Sequence, residues 1–344
     1  MARRRHVAKS TDTVVAVPQD ADRDAATTVA LERSYNAVEL DLLPGACNTP
    51  VLREGDELWR IDSSDAECAW DDQPTTDGLS YYRLEGRSDW RRATSENFEK
   101  AGRGPKATVF VLHGNRTSLF EATGMVWDVY RLVSQADAQP LRMVLWTWPS
   151  RRTFNRPRRD VRLKAERSEA AGRQLAGVLR RIDPQAPVGL VGFSFGVRAI
   201  TKALHLLGQE ATQGAGSIAN VSLPSGRSAP MRALLIAAAI DNDALLPSGP
   251  YRLAASQVDR MIVTHNGCDR LLRTYRHLYC WHGPDALGVT GFASDWARAD
   301  GGLENIEFLD VSGSVGKIHR WPNYIQAREI TAALRSDLLG RGEL

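Results

Sequence analysis

Six short apolar runs punctuate the chain from residue 107 onward, at 107–112, 141–147, 188–191, 233–239, 261–264 and 306–311. Each is continuous rather than alternating and carries mostly aliphatic side chains, as strands buried on both faces do. Between them, apolar residues recur at helical spacing over 119–134, 158–182, 195–207, 269–279 and 322–339. Strand–helix alternation on this scale predicts the α/β class, with a doubly wound, mostly parallel sheet covered by helices.

The stretch before the first run reads differently. Residues 1–46 show no sustained period and read as a mobile tail with a short helix over 30–42. A short strand is expected over 57–61. Residues 62–106 hold turn formers and scattered aromatics (Trp70, Tyr81, Tyr82, Trp90). They read as an irregular N-terminal extension, giving a flank over 47–106 packed on a main domain over 107–340. Two Gly- and Ser-rich connections, 208–228 and 283–302, are long enough to be lids or surface loops.

Composition narrows the function classes. Of 344 residues, 43% are hydrophobic, enough for a large core. The formal charge of +3, from 44 basic against 41 acidic residues, gives no general affinity for nucleic acid. Arg3, Arg4, Arg5 and Lys9 are followed by polar and acidic residues rather than an apolar core. No run nears the roughly 18 residues of a membrane span, so neither export nor stable membrane insertion is expected. Cys47, Cys68, Cys268 and Cys280 are widely spaced and form no C-x-x-C pair. They read as reduced thiols of a cytoplasmic protein, with no metal site.

The chemistry concentrates around Gly192-Phe193-Ser194-Phe195-Gly196, a G-x-S-x-G pentapeptide between an expected strand and an expected helix. A serine on such a turn is exposed at the sheet edge as a nucleophile, and glycines two positions either side let strand and helix approach. His113-Gly114-Asn115 follows the strand at 107–112. The backbone N–H of Asn115, or of Arg116, and that of Phe195 are candidate oxyanion donors. Of seven histidines, only His319 lies after the last strand and before the terminal helix, where a base overhangs the sheet edge. Asp269, beyond the strand at 261–264, is the preferred acid, and Asp241, beyond the preceding strand, is its rival. An N-cap role for Asp269 competes with that assignment.

These motifs together resemble the α/β-hydrolase superfamily. His113-Gly114-Asn115, Trp148-Pro149-Ser150, Asp160, the Ser194 elbow, Asn266-x-x-Asp269 and His319 occur in an order similar to the group called domain of unknown function 900. The resemblance covers most of 108–324. It implies the fold and a Ser–acid–His triad and names no substrate. Phe193 and Phe195 depart from it, standing where His and Met are common.

The expectation is therefore a serine hydrolase acting on a small-molecule acyl substrate, an ester or thioester, without metal or organic cofactor. The acyl group and the oligomeric state stay open. A non-catalytic binding or scaffold protein that keeps the fold is the alternative. Arg151, Arg152, Arg156, Arg158, Arg159, Arg162, Lys164 and Arg167 make 151–167 basic. This reads as a solvated loop and helix face, with an anion-binding patch as the competing reading.

Overall fold

The computed structural model describes residues 51–63, 73–86, 89–215, 227–277, 283–292 and 303–339. Contacts divide the chain into residues 1–48 and 49–344, and all described residues belong to the second unit. The tail and the helix at 30–42 lie outside the described residues.

The strands are β1 (Glu57–Asp62), β2 (Ser80–Glu85), β3 (Asp89–Ala93), β4 (Ala107–Leu112), β5 (Leu141–Thr147), β6 (Val188–Phe193), β7 (Met231–Ile236), β8 (Arg260–His265) and β9 (Ile306–Asp310). They form one sheet in the order β3-β2-β1-β5-β4-β6-β7-β8-β9. Only β2, antiparallel to both β1 and β3, runs against the others. Helices cover both faces. Leu119–Ala136 packs with Arg328–Ser336, and Pro157–Leu179 packs with Phe195–Ala215. The continuous apolar runs have their cause here: every residue of β4, β5 and β6 is buried. Fully burying each Val, Leu or Phe side chain contributes about 1.5–3 kcal/mol.

β4 lies between β5 and β6, so the chain leaves it to one side and later resumes on the other. Such a reversal opens a crevice beyond the carboxyl ends of the two diverging strands, where open α/β sheets bind ligands. The loop after β4 and the turn after β6 meet at that point.

Several elements differ from the sequence expectation. The irregular flank is a regular part of the sheet. β2 and β3 form an antiparallel hairpin on β1, and the helix Ser95–Ala101 follows, capped by Thr94. Phe98 from that helix packs against Trp59 and Tyr81. The two-residue period is blurred because β3 is an edge strand with mostly exposed side chains, among them Arg91 and Arg92, and charge on an edge blocks further pairing. β7 stops at Ile236, although the apolar run continues to Ala239. Ala237 takes a φ of 50° and gives its N–H to Thr264 Oγ1, so the run ends in a buried turn. The terminal segment is two helices, Trp321–Ile325 and Arg328–Ser336, separated by an extended Ala327. The helix expected over 269–279 is a 3-10 turn, Leu272–His277. Of the expected long connections, 208–215 continues a helix and 287–290 is a short helix. Residues 216–226 and 293–302 lie outside the described residues. No described helix is long and apolar enough to cross a membrane.

The crossing of the Phe195–Ala215 helix over the end of β4 is set by Gly196. A Cβ there would stand 2.3 Å from the Leu112 carbonyl oxygen and 2.9 Å from that of His113. Both are backbone atoms and cannot yield. Gly196→Ala is expected to lower stability by about 1–3 kcal/mol in urea denaturation, since overpacking outweighs the helix propensity gained. Unchanged or higher stability would mean that the helix is free to shift.

Candidate active site

Ser194 joins β6 to the helix Phe195–Ala215 as a single-residue turn with φ of 54°. A non-glycine residue held there stores about 1–3 kcal/mol of strain, which its surroundings must offset. The Ser194 N–H donates to Ile236 O at 2.9 Å, and its carbonyl accepts from Val197 N–H at 3.1 Å and Ala239 N–H at 3.4 Å. Gly192 is tightly placed as well, because a Cβ there would meet the backbone at Val197 N, 3.0 Å away, and Gly196 C, 3.1 Å away. Gly114 lies directly against the turn: its added Cβ would stand 3.2 Å from Ser194 Cβ.

His319 reaches Ser194 from the loop between β9 and the helix Trp321–Ile325. Its Nε2 is 3.0 Å from Ser194 Oγ and its Nδ1 is 2.7 Å from Asp269 Oδ2. The Phe193 ring stacks on the imidazole with centroids 5.1 Å apart. Asp269 is fully buried. Burial pushes its pKa up, but hydrogen bonds from His319, the Leu272 N–H and the Tyr324 hydroxyl outweigh that and hold it below the usual carboxylate range. The cap bond and the bond to His319, expected to compete, coexist. Oδ1 accepts from Leu272 N–H at 2.9 Å, while Oδ2 accepts from His319 and from Tyr324 Oη at 2.6 Å.

Asp241 is not part of this chain of bonds. Its Oδ1 accepts from the Tyr275 hydroxyl at 2.7 Å. His205 accepts from Leu253 N–H on a buried helix, and His265 lies 3.9 Å from Asp310. His6 and His282 lie outside the described residues.

The loop after β4 separates the two amides that the sequence left open. Arg116 has φ of 56° and gives its N–H to Ser150 O at 3.0 Å. Asn115 makes no hydrogen bond to any described residue through its N–H or its side chain, and its Oδ1 is buried. The Phe195 N–H, in the first helical turn, has no intrahelical acceptor.

Trp148-Pro149-Ser150 holds this loop from behind. The Trp148 indole N–H donates to His113 O at 2.9 Å, and its ring lies parallel to the His113 imidazole at 5.5 Å. The Ser150 hydroxyl donates to Thr117 O. His113 Nε2 accepts from the Trp148 backbone N–H at 3.4 Å, so its proton sits on Nδ1 and is donated to Gly114 O at 2.9 Å. Asp160 is buried and accepts the N–H groups of Thr153 and Phe154, with Arg116 at 3.7 Å. It shapes the loop that opens the basic stretch.

A turn at the carboxyl end of a central parallel strand, with left-handed backbone at serine and a helix starting at once, joins this strand order. The fold is that of an α/β-hydrolase. Residues 159–234 match the family described as "Protein of unknown function (DUF726)". That segment runs from the helix before β6, through the elbow, into β7. It is a different group from the one that the Trp-Pro-Ser resemblance names. No curated protein matches the chain. Among solved structures it is similar to an esterase/lipase from an uncultured bacterium, with 15% identity, covering 95% of this chain and 91% of that one, at a TM-score of 0.35. Carboxyl esterase 2 of the mycorrhizal fungus Tuber melanosporum has 13% identity over 90% and 94% of the two chains, at 0.35. A Pyrobaculum calidifontis esterase has 14% over 78% and 84%, at 0.33.

Two residues of this site had no role in the sequence reading, although Asn266 stands in the Asn266-x-x-Asp269 motif. Tyr324 adds a hydroxyl to Asp269, and burial and that carboxylate keep it protonated. Asn266 ties the acid loop to the histidine loop, its Nδ2 donating to Gly316 O at 2.8 Å and to Tyr324 Oη at 3.3 Å. For Tyr324 the only hint was position: it follows His319 closely in a segment read simply as the start of a helix.

His113 carries a pH signature. Desolvation lowers its pKa from 6.5 to about 4. The unfolded chain takes up that proton first, so the stability linked to a neutral His113 is complete above about pH 6.5 and is lost as pH falls toward 4. Between pH 7 and pH 5 the loss is about 2 kcal/mol. Urea denaturation at the two pH values should show it in the wild type, and His113→Asn should remove most of that difference. The same pH dependence in both proteins would place its source elsewhere.

Proposed function

We propose that the protein is a serine hydrolase cleaving an ester, thioester or related acyl bond through an acyl-Ser194 intermediate. The observation that carries this reading is the unbroken line of bonds from Ser194 Oγ through both nitrogens of His319 to Asp269. A neutral imidazole with its Nδ1–H on a buried carboxylate has its Nε2 lone pair free to take the serine proton.

In this reading Ser194 Oγ attacks the acyl carbon as His319 Nε2 takes its proton. The carbonyl oxygen, now negative, accepts from the N–H groups of Phe195 and Asn115. Each such donor is worth about 10²–10³ in turnover. As the tetrahedral centre collapses, the protonated His319 gives its proton to the departing alcohol or thiol. Water then enters, His319 takes a proton from it, and the reverse collapse frees Ser194 and the acid. Asp269 keeps its charge throughout and holds the imidazole tautomer. The residues assigned to this chemistry require no metal or organic cofactor.

Labelling with a fluorophosphonate tests the reading without knowledge of the substrate. The wild-type protein should take up one equivalent at Ser194, and Ser194→Ala none. A folded wild-type protein that does not label would sink the proposal. The acid is decided separately. Asp269→Asn should lower turnover of an activated ester by about 10⁴-fold through a wrong tautomer of His319. Asp241→Asn should cost much less, and the opposite ranking would move the role to Asp241.

A further inference from the structure

A cavity of about 390 Å³ opens beside the elbow, lined by Arg162, Ala165, Glu166, Glu169, Arg198 and Asp241. Arg198 lies one helical turn beyond Ser194, and Asp241 lies just past the carboxyl end of β7. The volume falls in the range of small-molecule sites, and the place is the sheet edge where such folds bind ligands.

The lining is charged, and its hydrogen bonds decide the sign it favours. Arg198 is nearly buried and already committed: its guanidinium bonds Glu169, Tyr251 Oη, Tyr275 Oη and Ala239 O. Each of the two inner carboxylates, Glu169 and Asp241, is half-buried and keeps one oxygen open to the cavity and solvent. Arg198 and Tyr251 both address Oε1 of Glu169, and Tyr275 addresses Oδ1 of Asp241. Neither Oε2 of Glu169 nor Oδ2 of Asp241 receives a hydrogen bond from any described residue. Burial keeps the Tyr251 hydroxyl protonated, so it stays a donor to Glu169. Three carboxylates stand against two guanidiniums in the lining, an excess of one negative charge. Among the described residues no group of three or more His, Cys, Asp or Glu is set to hold a metal ion.

We infer that this cavity is a binding site for the ammonium group of a small organic cation, held by the carboxylates of Asp241 and Glu169, with Glu166 at its exposed rim. The site is independent of the serine chemistry, although its wall touches the elbow. Arg198 bonds the Ala239 carbonyl, and the Ala239 N–H bonds the Ser194 carbonyl.

The test uses n-butylammonium chloride as the probe, with sodium butyrate and sodium chloride at equal ionic strength, in calorimetric titration and thermal melting of the full chain. Butylammonium should bind saturably and raise Tm, while the other two salts should not. Asp241→Asn should weaken binding by about tenfold, the loss expected when one half-buried charge partner is removed. Glu166→Gln, at an exposed position, should weaken it by about twofold through the field alone and keeps the test alive if Asp241→Asn does not fold. Ser194→Ala should bind as the wild type does, which separates this site from the proposed hydrolysis. Butylammonium acting no differently from sodium chloride, preferred binding of butyrate, or affinity untouched by both carboxylate variants would each overturn the inference.

Discussion

Backbone meeting backbone with no room for a side chain is the constraint on which this site depends. At the end of β4 the carbonyls of Leu112 and His113 approach Gly196, and Gly114 approaches Ser194. Because nothing intervenes, the chain turns from strand to helix through one residue, and that residue must take a left-handed φ. Glycine would adopt that conformation without strain, yet a serine stands there. The Ser194 N–H and carbonyl bonds to Ile236 and Ala239, on the neighbouring β7 corner, hold it in place. Strain held by these neighbours fixes the direction in which the Ser194 side chain leaves the backbone.

The same principle governs the other half. His319 comes from a loop with little regular structure, and a loop alone would leave the imidazole free to rotate. Asp269, Tyr324 and Asn266 remove that freedom by joining the β8 loop to the loop after β9 at several points. Gly267 N–H on Ser312 Oγ and Arg270 N–H on Lys317 O add backbone ties. Asp269 can serve as the hub because a carboxylate has two oxygens and several lone pairs. One oxygen caps a turn while the other meets a histidine and a tyrosine.

The parts legible in the sequence were those whose periodicity reports burial on both faces. β4 and β5 fall at the expected residues, and β6 and β8 within two residues of them, because strands on both sides and helices on both faces leave them no polar face, while β9, a half-buried edge strand, falls within one residue on its apolar run alone. Ser194, Asp269 and His319 were legible as an order along the chain relative to those strands. The hairpin β2–β3 was not, because an edge strand carrying Arg91 and Arg92 has no apolar stripe to read. The Ala237 corner was not, since a buried turn and a buried strand are equally apolar. Tyr324 was hidden for a different reason. A tyrosine in a short helix is commonly core, and its hydroxyl contact with Asp269 is a tertiary one, 55 residues apart in sequence, that spacing does not reveal.

The two aspartates that competed for one role show how a tertiary hydrogen bond divides work between like residues. Asp269 and Asp241 follow adjacent parallel strands and are chemically the same. Asp269 caps Leu272 with Oδ1, and that cap starts the 3-10 turn Leu272–His277. Tyr275, in that turn, reaches both Asp241 and Arg198 with its hydroxyl. The cap on one carboxylate thus fixes the turn whose tyrosine engages the other, leaving Asp269 on His319 and Asp241 beside Arg198 at the cavity. Breaking the cap would disturb both groups at once, so the histidine pair and the charged cavity are two consequences of where one short turn begins.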